Sequence, residues 1–395
     1  MDLVREPDAA AAAAGDATAI RRGHTDATDE RAAARALKAQ LDQPGVSLVV
    51  LFASPDRDLE ALAAALGEAF GPVPVVGCTT AGEIGPGGYR RGSVVGISLA
   101  APAFTAVAER VDDLHHFHMA RGNDLVQRAL RGLDRAAPGF ARERTFGMLL
   151  IDGLSGCEEA VISALHDALG GIPLFGGSAG DTLRFQRTSV LHDGRFRQDA
   201  AVLILVTTDR PFRVFKTEHF VSSQEKMVVT EADPVNRIVT EINGEPAARE
   251  YARVVGLEIA ELTPTIFAAH PVVVRIGGSY FVRSIQKVNP DESLTFFCAI
   301  DEGIVLTVAR GIDLVANLET LFGGLRGQIG EPELVIGCDC VLRNLELQQK
   351  GLVERVGRIM AENRVVGFST FGEQYLAMHV NQTFTGVAIG RDGAR

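Results

Sequence analysis

Three segments of this chain close in the same way. They read Gly77-Cys-Thr-Thr-Ala-Gly-Glu83, Gly176-Gly-Ser-Ala-Gly-Asp181 and Gly367-Phe-Ser-Thr-Phe-Gly-Glu373. The first and third align without a gap, and the second is one residue shorter. Each follows the same order of elements. Residues 47–52 form a continuous apolar run of strand length, Asp56 and Asp58 open an Ala- and Leu-rich helix ending near Phe70, and 73–76 is a second apolar strand. The order recurs as strand 146–151, helix 158–169 and strand 172–175, then as strand 334–336, helix 352–362 and strand 364–366. Continuously apolar strands on either side of a helix indicate parallel βαβ units covered on both faces. Self-similarity in fixed order marks a repeated architecture, and the wide, irregular spacing excludes a solenoid.

Antiparallel signals follow each unit. Segments 92–99 and 104–111 pair, and His192-Asp-Gly-Arg195 is a hairpin turn between strands 185–191 and 201–207. Residues 272–309 are strand-rich, with alternation in Ser279-Tyr-Phe-Val-Arg283, and 383–389 is a last strand. The expected fold class is α/β: repeated βαβ units feeding antiparallel strands, mixed sheets flanked by helices, and two domains. A first helix is expected over 29–43. A composition shift at Ile242-Asn-Gly-Glu-Pro246 suggests the domain boundary, giving a disordered tail over 1–28 and domains over 29–236 and 237–395.

Charge and cysteine usage exclude several classes. Lys plus Arg number 39 against 50 Asp plus Glu, a net charge of −11, which argues against a nucleic-acid partner because backbone binding needs a basic face. Five cysteines spread over 395 residues are not a disulfide framework. No secretory signal is recognisable, and no apolar stretch reaches the roughly 18 residues that span a bilayer. The expectation is a cytoplasmic protein without membrane contact.

The three loops are the first candidates for a site. Gly-rich turns beyond buried parallel strands bring backbone N–H groups close to a ligand. Cys78, Thr79, Thr80, Gly177, Ser178, Ser369 and Thr370 line them, and Glu83, Asp181 and Glu373 add acceptors suited to an ammonium or guanidinium group. The competing reading is of tight turns whose acid caps neighbouring N–H groups. Gly176-Gly-Ser178-Ala-Gly180 matches a nucleophile elbow, but 181–191 reads as a strand where a helix belongs, so hydrolase chemistry is disfavoured. Cys338-Asp339-Cys340 ends a strand and precedes Arg343 and Asn344. It reads either as small buried thiols or as a site wall in which Arg343 lowers a thiol pKa. A nucleophilic Cys78, Cys338 or Ser178 is the enzyme alternative. His115, His116 and His118 read as surface residues. His379, after the third loop and at the start of the last strand, is the candidate metal ligand, against a structural hydrogen-bonded role. No Walker loop or dinucleotide fingerprint is present.

Val76-Gly-Cys-Thr-Thr-Ala-Gly-Glu83, Phe175-Gly-Gly-Ser-Ala-Gly-Asp181, Ile336-Gly-Cys-Asp-Cys340, and Phe371-Gly-Glu-Gln-Tyr375 through His379-Val-Asn381 resemble the FIST proteins. The resemblance covers nearly everything after Asp29, with an N-terminal and a C-terminal FIST domain. It implies a non-enzymatic ligand-sensing module in signal transduction, for small ligands such as amino acids. In one bacterial subgroup it implies haem, nitric-oxide sensing, and a histidine kinase or cyclic-di-GMP enzyme as partner. No kinase, cyclase or F-box segment is recognisable, so the expected output runs through a partner protein. The implied haem-iron ligand here is His379. The alternative is a small-metabolite sensor without haem.

Overall fold

Strands that are apolar on both faces need cover on both, and the computed structural model shows how this chain supplies it. The structure describes residues 19–276 and 279–392. Each repeated segment proves to be the centre of a larger unit: strand, helix, strand, helix, strand, two-stranded hairpin, strand. The first unit comprises Ile20–Thr25, Glu30–Leu41, Val46–Ala53, Leu59–Phe70, Val75–Thr79, the hairpin Glu83–Gly85 with Gly88–Arg90, and Val94–Ala100. The second comprises Phe104–Asp112, Met119–Ala136, Thr145–Ile151, Glu158–Leu169, Leu174–Ser178, the hairpin Val190–His192 with Arg195–Arg197, and Ala200–Thr208. The third comprises Phe212–Glu218, Leu314–Ile329, Pro332–Cys340, the helices Val341–Gln349 and Val353–Glu362, Val365–Thr370, the hairpin Glu373–Tyr375 with Met378–Val380, and Thr383–Gly390. Between the first strand and first helix of the third unit lies an insert. It is an eight-stranded sheet running from Phe220–Asp233 to Val305–Gly311, with helices Ala247–Val255 and Pro264–Ala269.

Each unit builds a six-stranded sheet in the order first, last, second and third strand, and then takes the hairpin of another unit as its fifth and sixth strands. The first sheet takes the second unit's hairpin, the second takes the third's, and the third takes the first's. Only the second and third strands run parallel. The sheets are therefore mixed and flanked by helices, as the sequence suggests. Their inner faces meet in one core that includes Val50, Phe52, Val76, Met148, Leu150, Phe175, Ile336 and Phe368. Phe52 and Phe368 stack there at 4.7 Å. The outer faces pack on their own helices in separate clusters. Asp29 and Asp58 cap the first two helices by accepting the Ala32 and Ala61 N–H groups.

Five expectations change. Val94–Ala100 and Phe104–Asp112 belong to different sheets and do not pair. Residues 20–25, assigned to the N-terminal tail, form an edge strand against 94–99, and residues 1–18 lie outside the described residues. The segment 181–189 is not a strand. Asp181 accepts the N–H groups of Phe185, Gln186 and Arg187, and Thr182, Leu183 and Phe185 have positive φ, so the chain coils there. The His192–Arg195 turn joins Val190–His192 to Arg195–Arg197, while Ala200–Thr208 belongs to a different sheet. The division at 236/237 falls between two paired strands of the insert, Phe220–Asp233 and Ile238–Ile242.

Gly77, Gly176 and Gly367 lie where a Cβ would sit 2.0, 2.1 and 1.8 Å from the carbonyl oxygens of Leu51, Leu149 and Gly337. This close approach accounts for one glycine shared by all three motifs. Gly367→Ala is expected to destabilise the fold by about 1–3 kcal/mol or more, through overpacking against backbone. Gly324→Ala, in a helix with nothing within 4 Å of the added Cβ, is expected to be neutral or stabilising by up to about 1 kcal/mol. Urea unfolding of both variants checks the contrast.

Candidate functional site

The hairpin exchange brings the three loops together beyond the carboxyl ends of the parallel strands. Ala81 N–H donates to Ser369 O, Phe371 N–H to Ser178 O, and Gly180 N–H to Thr79 O, so each loop is bonded to both others. Residues at the ends of the central strands donate in the opposite cyclic sense: Thr79 to Ser189 O, Ser178 to Gly372 O and Ser369 to Gly82 O. Thr79, Thr80, Ser178, Ser369 and Thr370 are fully buried in this ring. Cys78, Gly177 and Cys338 lie in the core with which the ring is continuous; a Cβ on Gly177 would stand 3.1 Å from Cys338 Sγ. A further apolar cluster includes Phe371 of the third loop, Ala268 and Phe297 of the insert and partly buried Phe185 of the coil. Phe185, Phe297 and Phe371 form an aromatic triad with centroids 4.9 to 6.1 Å apart.

The three acids are not equivalent. Glu83 is satisfied within its own unit: Thr80 donates to Oε1, and the Ser93 N–H and hydroxyl donate to Oε2. Asp181 spends both oxygens on backbone N–H groups of the coil that follows it. For these two loops the turn-capping reading is the one the geometry carries. Glu373 differs. Its Oε2 accepts from Thr383 N–H and hydroxyl, but Thr370 turns instead to the carbonyls of Ser178 and Gly372. Oε1 is left buried without a hydrogen-bond partner. Burial pushes the Glu373 carboxyl well above the ordinary range, and the hydrogen bonds from Thr383 and the Cys340 thiol only partly oppose this. In the second unit the anchoring acid is Asp152, which accepts from Leu154, Asp199 and Thr188.

Arg343 does not activate a thiol. Burial pushes Cys78, Cys338 and Cys340 well above the ordinary thiol range, and neighbouring Cys78, Glu373 and Asp339 raise Cys338 further. Arg343 is instead the hub of a buried network. Its Nε donates to Asp339 Oδ1 at 2.7 Å, and its Nη1 lies 2.7 Å from His219 Nδ1. The Tyr89 hydroxyl donates to Asp339 Oδ2 at 2.6 Å. His219 Nε2 lies 2.6 Å from Glu346 Oε2, and Lys350 donates to Glu346 Oε1. Since Arg343 can only donate, His219 Nδ1 accepts and Nε2–H faces Glu346. Desolvation, then Arg343, hold His219 below its usual range, while Glu346 opposes this. Tyr89, Ala81, Gly82, Arg90, Arg91, Asn344, Gln348 and Val353 line an open cleft of about 270 Å³ beside this network.

His379 sits in the hairpin donated to the second sheet, not in the last strand. Its ring packs on Gly372, where a Cβ would come within 2.2 Å of it. Its Nδ1 lies 3.3 Å from Gln374 Nε2, and that amide nitrogen also reaches Ser178 Oγ and Gly372 O. A carbonyl only accepts, so the amide orientation is determined and Nδ1 takes the acceptor role. In the tautomer with Nδ1 accepting, the ring proton sits on Nε2 and leaves no lone pair there for iron. A ligating histidine normally has the opposite arrangement. With Ser178, Gln374 and Asn381 around it, this histidine does not fit an axial haem ligand. Among the described residues, no group of three or more His, Cys, Asp or Glu is placed to hold a metal ion.

Buried polar atoms without partners concentrate here. Seven of seventeen belong to residues 369–385: Ser369 Oγ, Glu373 Oε1, Gln374 Oε1, His379 Nε2, Asn381 Oδ1, Gln382 Oε1 and Thr385 Oγ1. Among the described residues of the equivalent stretch 79–95 around the first loop, one such atom occurs, the donor Arg90 Nε. The amide nitrogens of Gln374, Asn381 and Gln382 all reach backbone carbonyls, so the free atoms of those side chains are acceptors. Sequence reasoning missed Tyr89, His219, Glu346 and Gln382. Gln374 and Asn381 stood inside a quoted motif, whereas His219, between two strands, carried no signal.

The FIST N domain family model matches residues 47–245, and the FIST C domain model matches residues 247–376. No match is found among curated proteins. Among solved structures the chain is similar to a cyanuric acid hydrolase from A. caulinodans, at 10% identity and a TM-score of 0.36, over 94% of this chain and 99% of the other. A second cyanuric acid hydrolase, described as an evolutionary innovation by structural concatenation, matches at 9% identity and the same TM-score, over 94% and 99%.

A carboxyl raised by burial binds its proton more tightly folded than unfolded. Its contribution to stability is therefore fully present below the unfolded value of about 4.3 and is lost as pH rises towards the folded value. Glu373→Gln, which mimics the protonated acid, is expected to gain stability relative to the parent as pH rises from about 5 to about 8. Denaturant melts at the two pH values test this. Arg343→Met, which strands Asp339 in the interior, is expected to cost about 3–5 kcal/mol by the same measurement.

Proposed function

The chain belongs to the FIST family, and from that premise we propose that it is a cytoplasmic sensor that binds a small polar metabolite beside the third loop and signals through a partner protein. FIST domains are associated with signal transduction and small-ligand sensing. The observation that carries the reading is the contrast between two equivalent loops in one molecule. Around the first loop one buried side-chain polar atom is unmatched, the donor Arg90 Nε, and no acceptor is; around the third, several acceptors stand unmatched. An unpaired buried polar group costs about 1–3 kcal/mol, so a cluster of them is costly unless a donor-bearing ligand completes it. An amino acid, with its ammonium group, has suitable chemistry.

The haem version of the sensor has no support from the geometry of His379. An enzyme is also disfavoured, since the three central thiols are held protonated by burial and the buried Ser178 hydroxyl accepts from Gln374. Among the described residues, no helix is long and apolar enough to cross a membrane.

A thermal-shift screen of amino acids and related metabolites is expected to yield a concentration-dependent rise in Tm, of about 2.7 kcal/mol in stability at a hundred times Kd. Asn381→Ala and Gln374→Ala are expected to weaken any hit. A screen with no stabilising compound sinks the sensor reading. Added haem is expected to give no Soret shift that depends on His379. At about pH 8, iodoacetamide is expected to label Cys78, Cys338 and Cys340 at least about tenfold more slowly than free cysteine. Fast labelling of any of them would revive the enzyme.

A further inference from the structure

The cleft beside Tyr89 has a charge that its surroundings do not. Two arginines and no carboxylate line it, in a chain of net charge −11. Arg91 is exposed and makes no hydrogen bond or ion pair among the described residues. Arg90 gives Nη1 to Asp26 at 2.8 Å, and its Nε is buried without a partner. Asn344 and Gln348 bring amides to the opposite wall. Ser369 Oγ, another unpartnered atom, lies 3.7 Å from where a Cβ of the lining residue Gly82 would stand. The volume is that of about nine liquid waters, room for a small metabolite. A basic recess in an acidic surface selects and concentrates small anions.

The same cleft is wired to the insert. Tyr89 lines the cleft and bonds Asp339, which holds Arg343, which bonds His219, which bonds Glu346. His219 is the residue between Phe212–Glu218 of the third unit and Phe220–Asp233 of the insert. Its carbonyl accepts from Ile312 N–H at 2.7 Å, just past the strand that leaves the insert, so this bond closes the neck. Glu346 Oε1 lies 3.3 Å from the Cβ position of Gly311 on that exit strand. The only buried arginine side chain of the relay, Arg343, keeps one Nη2 unpartnered, which leaves it room to change partners.

We infer that the cleft binds a small organic anion through Arg90 and Arg91, and that the chain Tyr89–Asp339–Arg343–His219–Glu346 transmits its arrival to the neck of the insert. This rests on the ligand-sensing reading above, places an acidic group of the ligand in the cleft, apart from the acceptors of the third loop, and adds the route of the signal. An anionic oxygen beside Tyr89 offers its hydroxyl a second acceptor. Asp339, relieved of that donor, draws Arg343 from His219, and the neck loosens or re-seats.

The test uses the full chain and three probes of similar size at equal ionic strength: succinate, neutral succinamide and cationic 1,4-diaminobutane. Succinate alone is expected to raise Tm and to change hydrogen exchange in Phe220–Asp233 and Val305–Gly311. Arg90→Gln with Arg91→Gln is expected to weaken the succinate response about tenfold or more. His219→Gln is expected to keep succinate binding and lose the exchange response in the insert; Glu346→Gln serves if that variant does not fold. Stabilisation by either control probe instead of succinate overturns the anion assignment and leaves the sensor standing. The same holds if none of the three acts while the metabolite screen yields a hit. Silence in both removes the sensor and the inference together. Succinate binding with an unchanged insert, or with an exchange response that survives His219→Gln, overturns the relay.

Discussion

Each of the three loops donates one backbone N–H to the next, closing a ring through Ser369, Ser178 and Thr79, and most of the architecture follows from that closure. No unit could complete its sheet alone, since the fifth and sixth strands of each come from another. The exchange leaves the inner edge of every sheet paired, which removes the unpaired edges that three separate sheets would present to one another. It also forces three loops, distant in sequence, to share one small volume. Buried backbone groups must be paired wherever the chain takes them. The ring is how these loops satisfy that requirement.

Repetition gives the molecule its own internal standard. A duplicated turn carries its hydrogen bonds with it, so Glu83 shows what the motif does when it is only structural. Glu373 occupies the matching position with the matching hydroxyl, Thr383 in place of Ser93, and yet loses the bond that Thr80 gives to Glu83. The cause is local: Thr370 bonds the carbonyls of Ser178 and Gly372. One rotated hydroxyl thus separates a satisfied turn from a carboxyl with a free oxygen. The second loop departs further, because a missing residue places Asp181 where the others have glycine, and Asp152 anchors that unit from the end of the neighbouring strand.

Much of this was legible in the residues. Continuous apolar strands, Asp-capped helices and the thrice-repeated glycine all came from patterns that act over a few positions. The exchange of hairpins did not, because the short segment Glu83–Gly85 pairs with a strand almost three hundred residues away, and nothing local distinguishes a swapped hairpin from one that folds back. The site followed the same division. Cys338, Asp339 and Arg343 stood out as a cluster of chemical groups, but the expected thiol–guanidinium pair failed. Asp339, four residues before Arg343 and equally buried, is the stronger partner for a guanidinium than a protonated thiol. His219 was invisible because its partners come from a helix more than a hundred residues later.

The position of the insert bears on how such a molecule could signal. It enters and leaves the third unit at adjacent points, His219 and Ile312, and meets the rest of the molecule again where Phe297 packs on Phe371 and Arg237 pairs with Glu158 and Glu159. A crossing point passes small changes on to the body beyond it, provided that it has more than one stable arrangement. A rigid apolar neck would have one. Here it is flanked by charges that are paired but not fully committed: Glu346 is shared between His219 and Lys350, and Arg343 retains a free N–H pair. Buried ionic groups gain little net stability over apolar ones of equal size, so their retention at the neck is better explained by what they allow than by what they hold. Of the three units, only the third combines the insert, the split helix that carries Arg343 and Glu346, and the loop with unmatched acceptors. The repeat supplies the frame, and its most altered copy carries the proposed site.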